Sequence, residues 1–210
     1  MLRLLCRGVI LVALSLLGCS GAMADIFDLA ILHGRVIDPE TGVDATRNVG
    51  IRDGAIARIT AKPIEAKRMI DARGLVVAPG FIDLHSHSPT LLGAHFQVLD
   101  GVTTQLDLEA GAYPVEAYGE HFAGGAVLKY GASVAHFAIR TLVMEGRAQP
   151  YLFTGTDMLR MGDAFTLIAS PTQIAEMRRL LLAGLDAGGL GIGVVLDYMS
   201  IAVSADELRM

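Results

Sequence analysis

Short apolar runs separated by turn-forming residues predict β-strands between residues 28 and 78. The apolar runs 29–32 and 36–37 flank His33-Gly34, and this pair predicts a turn between two strands. No run in this segment has the 3.6-residue spacing of an amphipathic helix. We therefore expect a small β module and no helix in this part of the chain.

A hairpin is predicted at Asp53-Gly54, because Asp-Gly pairs favour the turns that join antiparallel strands. Its two strands would be residues 49–52 and 55–59. Two further apolar runs, 69–70 and 75–78, predict another strand pair.

The pattern changes after Pro79-Gly80, where strand-like and helix-like segments alternate. Strands are predicted at 81–84, 102–108, 132–136 and 191–196, and helices at 91–99, 115–122, 137–144 and from 171 to about 187. Residues 147–170 are irregular. Such alternation is typical of parallel βα units, so the fold class is α/β with about four units. An open doubly wound sheet fits four units, whereas a closed barrel needs eight and about 250 residues.

The last of these helices carries the clearest signals. Ser170, Pro171 and Gln173 form a capping-box arrangement with proline at the first helical position. Apolar residues then recur on one face at 174, 177, 181 and 185, and Gly188-Gly189 predicts the end of the helix.

Residues 1–24 have the character of a secretory signal peptide. Arg3 and Arg7 precede or flank an apolar run at 9–17, which is too short for the ~20 residues of a permanent membrane span. Cleavage after Ala24 would release a chain beginning at Asp25. The alternative is a lipobox ending at Cys19, which would leave a lipid-anchored protein.

Composition agrees with export to a bacterial periplasm. Without Arg3 and Arg7 the chain has 15 basic and 22 acidic residues, and both cysteines, Cys6 and Cys19, lie in the leader. No stripe of Lys and Arg appears, so a nucleic-acid partner is not expected. With 52% hydrophobic residues, the chain has enough apolar side chains to form a sizeable core.

His85-Ser86-His87 is the main chemical signal. Alternate residues of a strand share a face, so both imidazoles would point the same way at the end of the 81–84 strand. Two such nitrogens can hold zinc or another divalent ion at ~2.0–2.1 Å each. The alternative is two histidines that only make ordinary hydrogen bonds.

The surrounding string resembles the amidohydrolase superfamily. It reads Asp71-Ala72-Arg73-Gly74, then Pro79-Gly80-Phe81-Ile82-Asp83-Leu84-His85-Ser86-His87. The resemblance implies a small β-sandwich over 25–78, followed by the first half of a metal-dependent (β/α)₈ barrel over 79–210. It also implies one or two divalent ions, Zn²⁺ in the first instance, held in part by His85 and His87.

Later motifs resemble the N-acyl-D-amino-acid deacylase branch, which includes D-aminoacylases and D-glutamate deacylases. They are Gly101-Val102-Thr103-Thr104, the glycine-rich segment 184–198 and the acidic pair Asp206-Glu207. The chain departs from D-aminoacylases at Glu109-Ala110-Gly111, where they have Asn-Cys-Gly with a metal-bridging Cys, and at Pro89, where they have Asp. Segments 106–111 and 130–136 are more similar to D-glutamate deacylases.

Glu109 is the candidate replacement for the missing thiolate, because a carboxylate can bridge two cations. The alternative is a loop residue one position away from the Cys. Asp107 shares the strand face of Glu109, and a purely structural role is equally compatible with the sequence.

Tyr198 and His136 are the candidate substrate-binding residues. Tyr198 matches a Tyr that lies near the substrate in the family, and His136 is predicted to end the third strand. Packed, hydrogen-bonded side chains are the alternative for both. Arg140, one helical turn after His136, is most simply a surface residue, with carboxylate binding as the other interpretation.

The resemblance implies hydrolysis of the N-acyl bond of a small N-acyl-D-amino acid, with N-acyl-D-glutamate a possible substrate. It places two more His ligands and the proton-transferring Asp in strands five, six and eight, so no catalytic acid or base is expected within these 210 residues. We accordingly expect an incomplete chain that is inactive and binds metal poorly when it is alone. The alternatives are deamination or cyclic-amide hydrolysis on the same scaffold, or an inactive exported binding protein.

Overall fold

The computed structural model of the protein describes residues 26–87, 90–148 and 162–210. The chain divides into two compact units, with the boundary between Pro79 and Gly80. The segment 1–24, predicted to be a leader, lies outside the described residues. None of the helices that the structure describes is long and apolar enough to cross a bilayer.

The first unit contains a five-stranded mixed sheet. Its central strand β1 pairs antiparallel with β2 and parallel with both β4 and β5, while β3 pairs antiparallel with β2. The strands are β1 (Phe27–Asp38), β2 (Val43–Arg52), β3 (Ala55–Thr60), β4 (Ala66–Asp71) and β5 (Val76–Val77). The described residues of this unit form a single sheet, so the second layer of the predicted β-sandwich stays a prediction.

The predicted hairpin is present between β2 and β3. Asp53 and Gly54 have φ values of 51° and 75°, the positive angles that a type I′ turn requires at both central positions. The backbone N–H of Asp53 also donates to Asp28 Oδ2 at 2.9 Å, which fixes the turn to β1.

The predicted turn at His33-Gly34 is wrong. β1 continues through these residues, and a register shift between Ile31 and Gly34 takes up the irregularity as a bulge. His33 has a φ of 62°, and its N–H donates to the side-chain oxygen of buried Asn48 at 2.9 Å. The predicted pairing of 69–70 with 75–78 is also wrong, because β4 and β5 each pair with β1.

The second unit contains a parallel four-stranded sheet in the order β6-β7-β8-β9. The strands are β6 (Phe81–Asp83), β7 (Val102–Ala112), β8 (Lys129–Ala135) and β9 (Ile192–Gly193). The helices are α1 (Leu91–Leu99), α2 (Glu116–Glu120), α3 (His136–Glu145), α4 (Asp163–Thr166), α5 (Pro171–Asp186) and α6 (Leu196–Met199).

Spatial order equals chain order in these four strands, so they show no reversal of the kind that defines a doubly wound sheet. The architecture is therefore α/β with parallel βα units. Closure into an eight-stranded barrel stays a prediction.

Helix α5 has the predicted capping box. Ser170 Oγ accepts from the N–H of Gln173, and Gln173 Oε1 accepts from the N–H of Ser170 at 2.9 Å. Met177 and Leu181 are buried in the core against Val134 and Ile139 of β8 and α3. The helix thus covers one face of the parallel sheet.

Two boundaries near the carboxyl ends of the strands differ from those predicted. β8 ends at Ala135, so His136 is the first residue of α3 and not the last residue of a strand. The predicted strand 191–196 is reduced to β9, and Leu196 begins α6. Tyr198 consequently lies on a short helix.

Candidate metal centre

His85, His87 and Glu109 lie together beyond the carboxyl end of β6. One ligand atom from each of the three side chains lies within 4.8 Å of the other two. Glu109 Oε2 is 3.1 Å from His87 Nε2 and 3.5 Å from His85 Nε2. The two imidazole rings meet edge to face, with centroids 4.8 Å apart. The side-by-side arrangement of the two histidines agrees with the alternation predicted from the sequence.

Backbone pairing with β7 holds the His85-Ser86-His87 segment in an extended conformation. The N–H of Ser86 donates to the carbonyl of Leu106 at 3.0 Å, and His85 forms an isolated bridge with Asp107. Ser86 points away from the two imidazoles, is buried, and accepts from Gln97 Nε2 of α1 at 2.9 Å. Alternation at this point therefore sends both imidazoles to the side opposite α1.

The donor set fits a divalent ion. Two imidazole nitrogens and a carboxylate oxygen are ligands of zinc, and tetrahedral bonds of ~2.0–2.1 Å place neighbouring donors about 3.3 Å apart. Glu109 Oε2 lies 3.1 Å and 3.5 Å from the two nitrogens, close to that value. The side chains of His85 and His87 are 64% and 43% exposed, so a small molecule can reach the group from solvent.

Asp107 lies beside the three clustered side chains, and the sequence left its role open. The carboxylate is buried, and Oδ2 lies 3.1 Å from Nδ1 of His87. Its other oxygen, Oδ1, accepts from the backbone N–H of Gly111 at 3.0 Å. Asp107 therefore touches both the histidine pair and the chain segment that follows Glu109.

Glu109 and Ala110 face different surroundings. Ala110, at the position of the Cys in the resemblance to D-aminoacylases, is buried in an apolar cluster with Phe137, Phe165 and Met199. Glu109, one residue earlier, is the residue that approaches the two histidines. The local geometry favours Glu109 over the loop-residue alternative, and its role as a metal ligand stays a prediction.

The candidate substrate residues lie in different places. His136 is buried at the start of α3, and its Nε2 is 2.8 Å from Oε1 of Glu207. This contact corresponds to the packed alternative left open by the sequence. Tyr198 is half exposed on α6. The described contacts of neither residue include the His85, His87 and Glu109 group, and their roles toward a substrate stay predictions.

Arg140 is not a surface residue, and the simpler interpretation of the sequence was wrong. Its guanidinium is fully buried and binds both carboxylate oxygens of Glu207, together with the carbonyl oxygens of Ala164, Leu167 and Ala202. Burial raises the pKa of the Glu207 carboxyl, but hydrogen bonds from His136 and Arg140 outweigh it and hold the pKa below its ordinary value.

This buried ionic cluster was missed as a unit. His136 and Arg140 are four residues apart on α3, so they share a helix face. This shared face and the acidic pair Asp206-Glu207 were the two sequence features that could have indicated an ion pair. Glu207 is 67 residues from Arg140 in the chain, and this separation is why local patterns did not connect them.

Known amidohydrolases are similar to the chain in sequence. N-acyl-D-glutamate deacylase of Alcaligenes xylosoxydans xylosoxydans is 31% identical over 191 residues, which are 84% of this chain and 38% of that protein. Dihydroorotase of Anaeromyxobacter sp. (strain K) is 50% identical over 68 residues, 31% of this chain and 15% of that protein. No protein-family model matches the chain.

Two crystal structures share its fold. N-acyl-D-glutamate deacylase from Bordetella bronchiseptica, complexed with zinc and a phosphonate inhibitor, superposes with a TM-score of 0.66 at 24% identity, over 88% of this chain and 42% of that one. D-aminoacylase, described as defining a novel subset of amidohydrolases, gives 0.65 at 25% identity, over 87% and 41%.

The chain spans less than half the length of each of these relatives. Three observations point to the same family: the sequence motifs, the similarity to the Alcaligenes deacylase and the superposition on D-aminoacylase. The chain is a relative of the N-acyl-D-amino-acid deacylases in the amidohydrolase superfamily.

Proposed function

We propose that the protein hydrolyses the N-acyl amide bond of small N-acyl-D-amino acids, and that this chain supplies part of its metal centre. The observation that carries the proposal is the convergence of His85, His87 and Glu109 at the ends of two adjacent parallel strands. Sites at the carboxyl ends of parallel strands are where α/β enzymes of this type assemble their chemistry.

The metal would be held by His85, His87 and Glu109. A divalent ion bound there, Zn²⁺ in the first instance, would polarise an amide carbonyl and would lower the pKa of a bound water molecule. His87 would hold the ion through Nε2, because its Nδ1 is directed to Asp107. Among the described residues we assign none as the proton-transferring acid or base.

An N-acyl-D-glutamate is the substrate we propose first. It is supported by the 31% identity to an N-acyl-D-glutamate deacylase and by segments 106–111 and 130–136, which are similar to such proteins. Tyr198 is the described candidate with a half-exposed side chain, so it can contact a substrate without rearrangement. His136 would have to act through Glu207 or after a local opening.

Hydrolysis of a cyclic amide is the second candidate. It is favoured by the 50% identity over 68 residues to dihydroorotases, since dihydroorotate is a cyclic amide. The two candidates share the metal centre and differ in the substrate pocket.

The test is an assay of the protein encoded by the whole gene, with N-acetyl-D-glutamate and dihydroorotate as alternative substrates. We expect zinc-dependent release of D-glutamate that is lost in His85→Ala and retained in Asp186→Asn, a control with an exposed carboxyl at the end of α5. Turnover of dihydroorotate alone would establish the second candidate. Zinc binding without turnover of either would leave only a binding protein.

We also propose that the protein is exported to a bacterial periplasm, with a mature amino terminus at Asp25. The support is the arrangement of basic, apolar and small residues over 1–24. A lipid anchor at Cys19 is the alternative, and the amino terminus of the secreted product distinguishes the two.

A further inference from the structure

We infer that Asp107 is a positioning residue of the metal centre, fixing with one carboxylate oxygen the ring of His87 and with the other the segment that carries Glu109. The inference rests on the proposed metal site. Asp107 is almost fully buried and touches His87 without being one of the three clustered donors.

The first contact selects the tautomer of His87. A carboxylate oxygen only accepts hydrogen bonds, so the 3.1 Å contact between Asp107 Oδ2 and His87 Nδ1 places the ring hydrogen on Nδ1. In the neutral ring Nε2 then carries the lone pair, and it lies 3.1 Å from Glu109 Oε2. Two acceptors this close would be stabilised by a divalent ion bound to both, whereas a second ring hydrogen on Nε2 is the metal-free alternative. A carboxylate behind a histidine commonly orients a metal ligand in this way.

The second contact closes a five-residue segment around Glu109. Asp107 Oδ1 accepts from Gly111 N–H at 3.0 Å, which brings residue 111 back to residue 107 with Glu109 midway between them. Gly111 has a φ of 72°, and a Cβ at this position would lie 2.5 Å from the carbonyl oxygen of Ser133. Gly111 is therefore required for this close approach.

The segment needs such a support because the ladder between β7 and β8 is interrupted there. Paired residues resume only at Ala112 after a register shift that begins at Asp107. Ser133 Oγ donates to the carbonyl of Leu108 at 2.9 Å, and this bond and the Asp107 contact replace the missing ladder bonds. The carboxylate of Glu109 is thus aimed by side-chain contacts.

Asp107→Asn separates positioning from simple packing, because asparagine has nearly the same shape. The single oxygen of the asparagine can accept from Gly111 or from His87. Its NH2 group must then face the other N–H donor. If the oxygen faces Gly111, the amide donates to Nδ1, the ring hydrogen moves to Nε2, and His87 cannot ligate through that nitrogen. Asp107→Ala removes both contacts. Asp186→Asn makes the same chemical change at an exposed site.

The experiment measures Zn²⁺ affinity of the 210-residue chain by competition with a chelator, and the ring ¹⁵N shifts of His87 without metal. Circular dichroism verifies that each variant is folded. We expect affinity to fall about 10- to 100-fold in both Asp107 variants and to be unchanged in Asp186→Asn. We also expect the wild-type ring to be protonated at Nδ1, and this preference to be lost in Asp107→Asn.

Two results would overturn the inference: folded Asp107 variants that bind Zn²⁺ as tightly as wild type, or a His87 ring whose tautomer does not respond to them. A wild-type chain that binds no Zn²⁺ refutes the metal site itself. In that case the ¹⁵N shifts still test the contact between Asp107 and His87. A tautomer that changes in the Asp107 variants supports this contact, and a tautomer that does not change contradicts it. If Asp107→Ala does not fold, Asp107→Asn alone carries the comparison.

Discussion

Glu207→Gln should destabilise the second unit severely, although residue 207 is near the end of the chain. Its side chain is fully buried and accepts three hydrogen bonds, one from His136 and two from Arg140. The substitution keeps the shape and removes the charge. The guanidinium of Arg140, also fully buried, would then face only neutral acceptors, which are the new amide oxygen and three backbone carbonyl oxygens.

Breaking a buried ion pair by changing one partner costs about 3–5 kcal/mol, because the remaining charge stays buried without compensation. A loss of 3 kcal/mol lowers a urea midpoint by about 1–3 M and the Tm by about 10 °C. Circular dichroism in urea measures the change. Glu176→Gln is the matched control, since its exposed ion pair with Arg179 on α5 should contribute less than about 1 kcal/mol. Equal effects of the two substitutions would refute the argument from burial.

Three further outcomes are expected. The pKa of Glu207 is lower in the folded chain than its ordinary value, so its stabilising contribution is present above the ordinary pKa and disappears as pH falls through the folded pKa. Urea midpoints of the wild type should therefore drop steeply below about pH 4.5. An equally steep drop in Glu207→Gln would contradict the assignment of this drop to Glu207. The 210-residue chain alone, assayed with N-acetyl-D-glutamate and excess Zn²⁺, should show no turnover, whereas turnover that is abolished by His85→Ala would show that these residues suffice. Mass spectrometry of the product secreted by a Gram-negative host should find an amino terminus at Asp25, and a diacylglyceryl group on Cys19 would establish the lipid anchor instead.

Features that depend on neighbouring residues could be predicted from the sequence. The cap at Ser170 and the turn at Asp53-Gly54 are set by hydrogen bonds and φ angles within four residues, and both are present. The side-by-side placement of His85 and His87 agrees with the alternation of side chains along an extended segment. The parallel βα order could also be inferred locally, because the spacing of apolar residues indicated a strand or a helix in each segment.

Features that depend on distant partners could not be predicted. The bulge at His33 is stabilised by a hydrogen bond to Asn48 on the neighbouring strand. The glycine that follows, Gly34, is equally typical of a turn, so the sequence did not distinguish the two. The sequence around Arg140 does not distinguish it from an exposed helix arginine, because its partner Glu207 is 67 residues away in the chain. Asp107 acquired a role only when β6 and β7 were paired in register, because that pairing places it beside His87.

Anomalous diffraction at the zinc edge, from crystals of the chain grown with Zn²⁺, would locate the bound ion. We expect an anomalous peak about 2.0–2.2 Å from an imidazole nitrogen of His85, one of His87 and a carboxylate oxygen of Glu109. The peak should be absent in crystals of a His85→Ala, His87→Ala double variant. A zinc ion bound elsewhere, or no peak beside these three side chains at saturating Zn²⁺, would contradict the proposed metal centre.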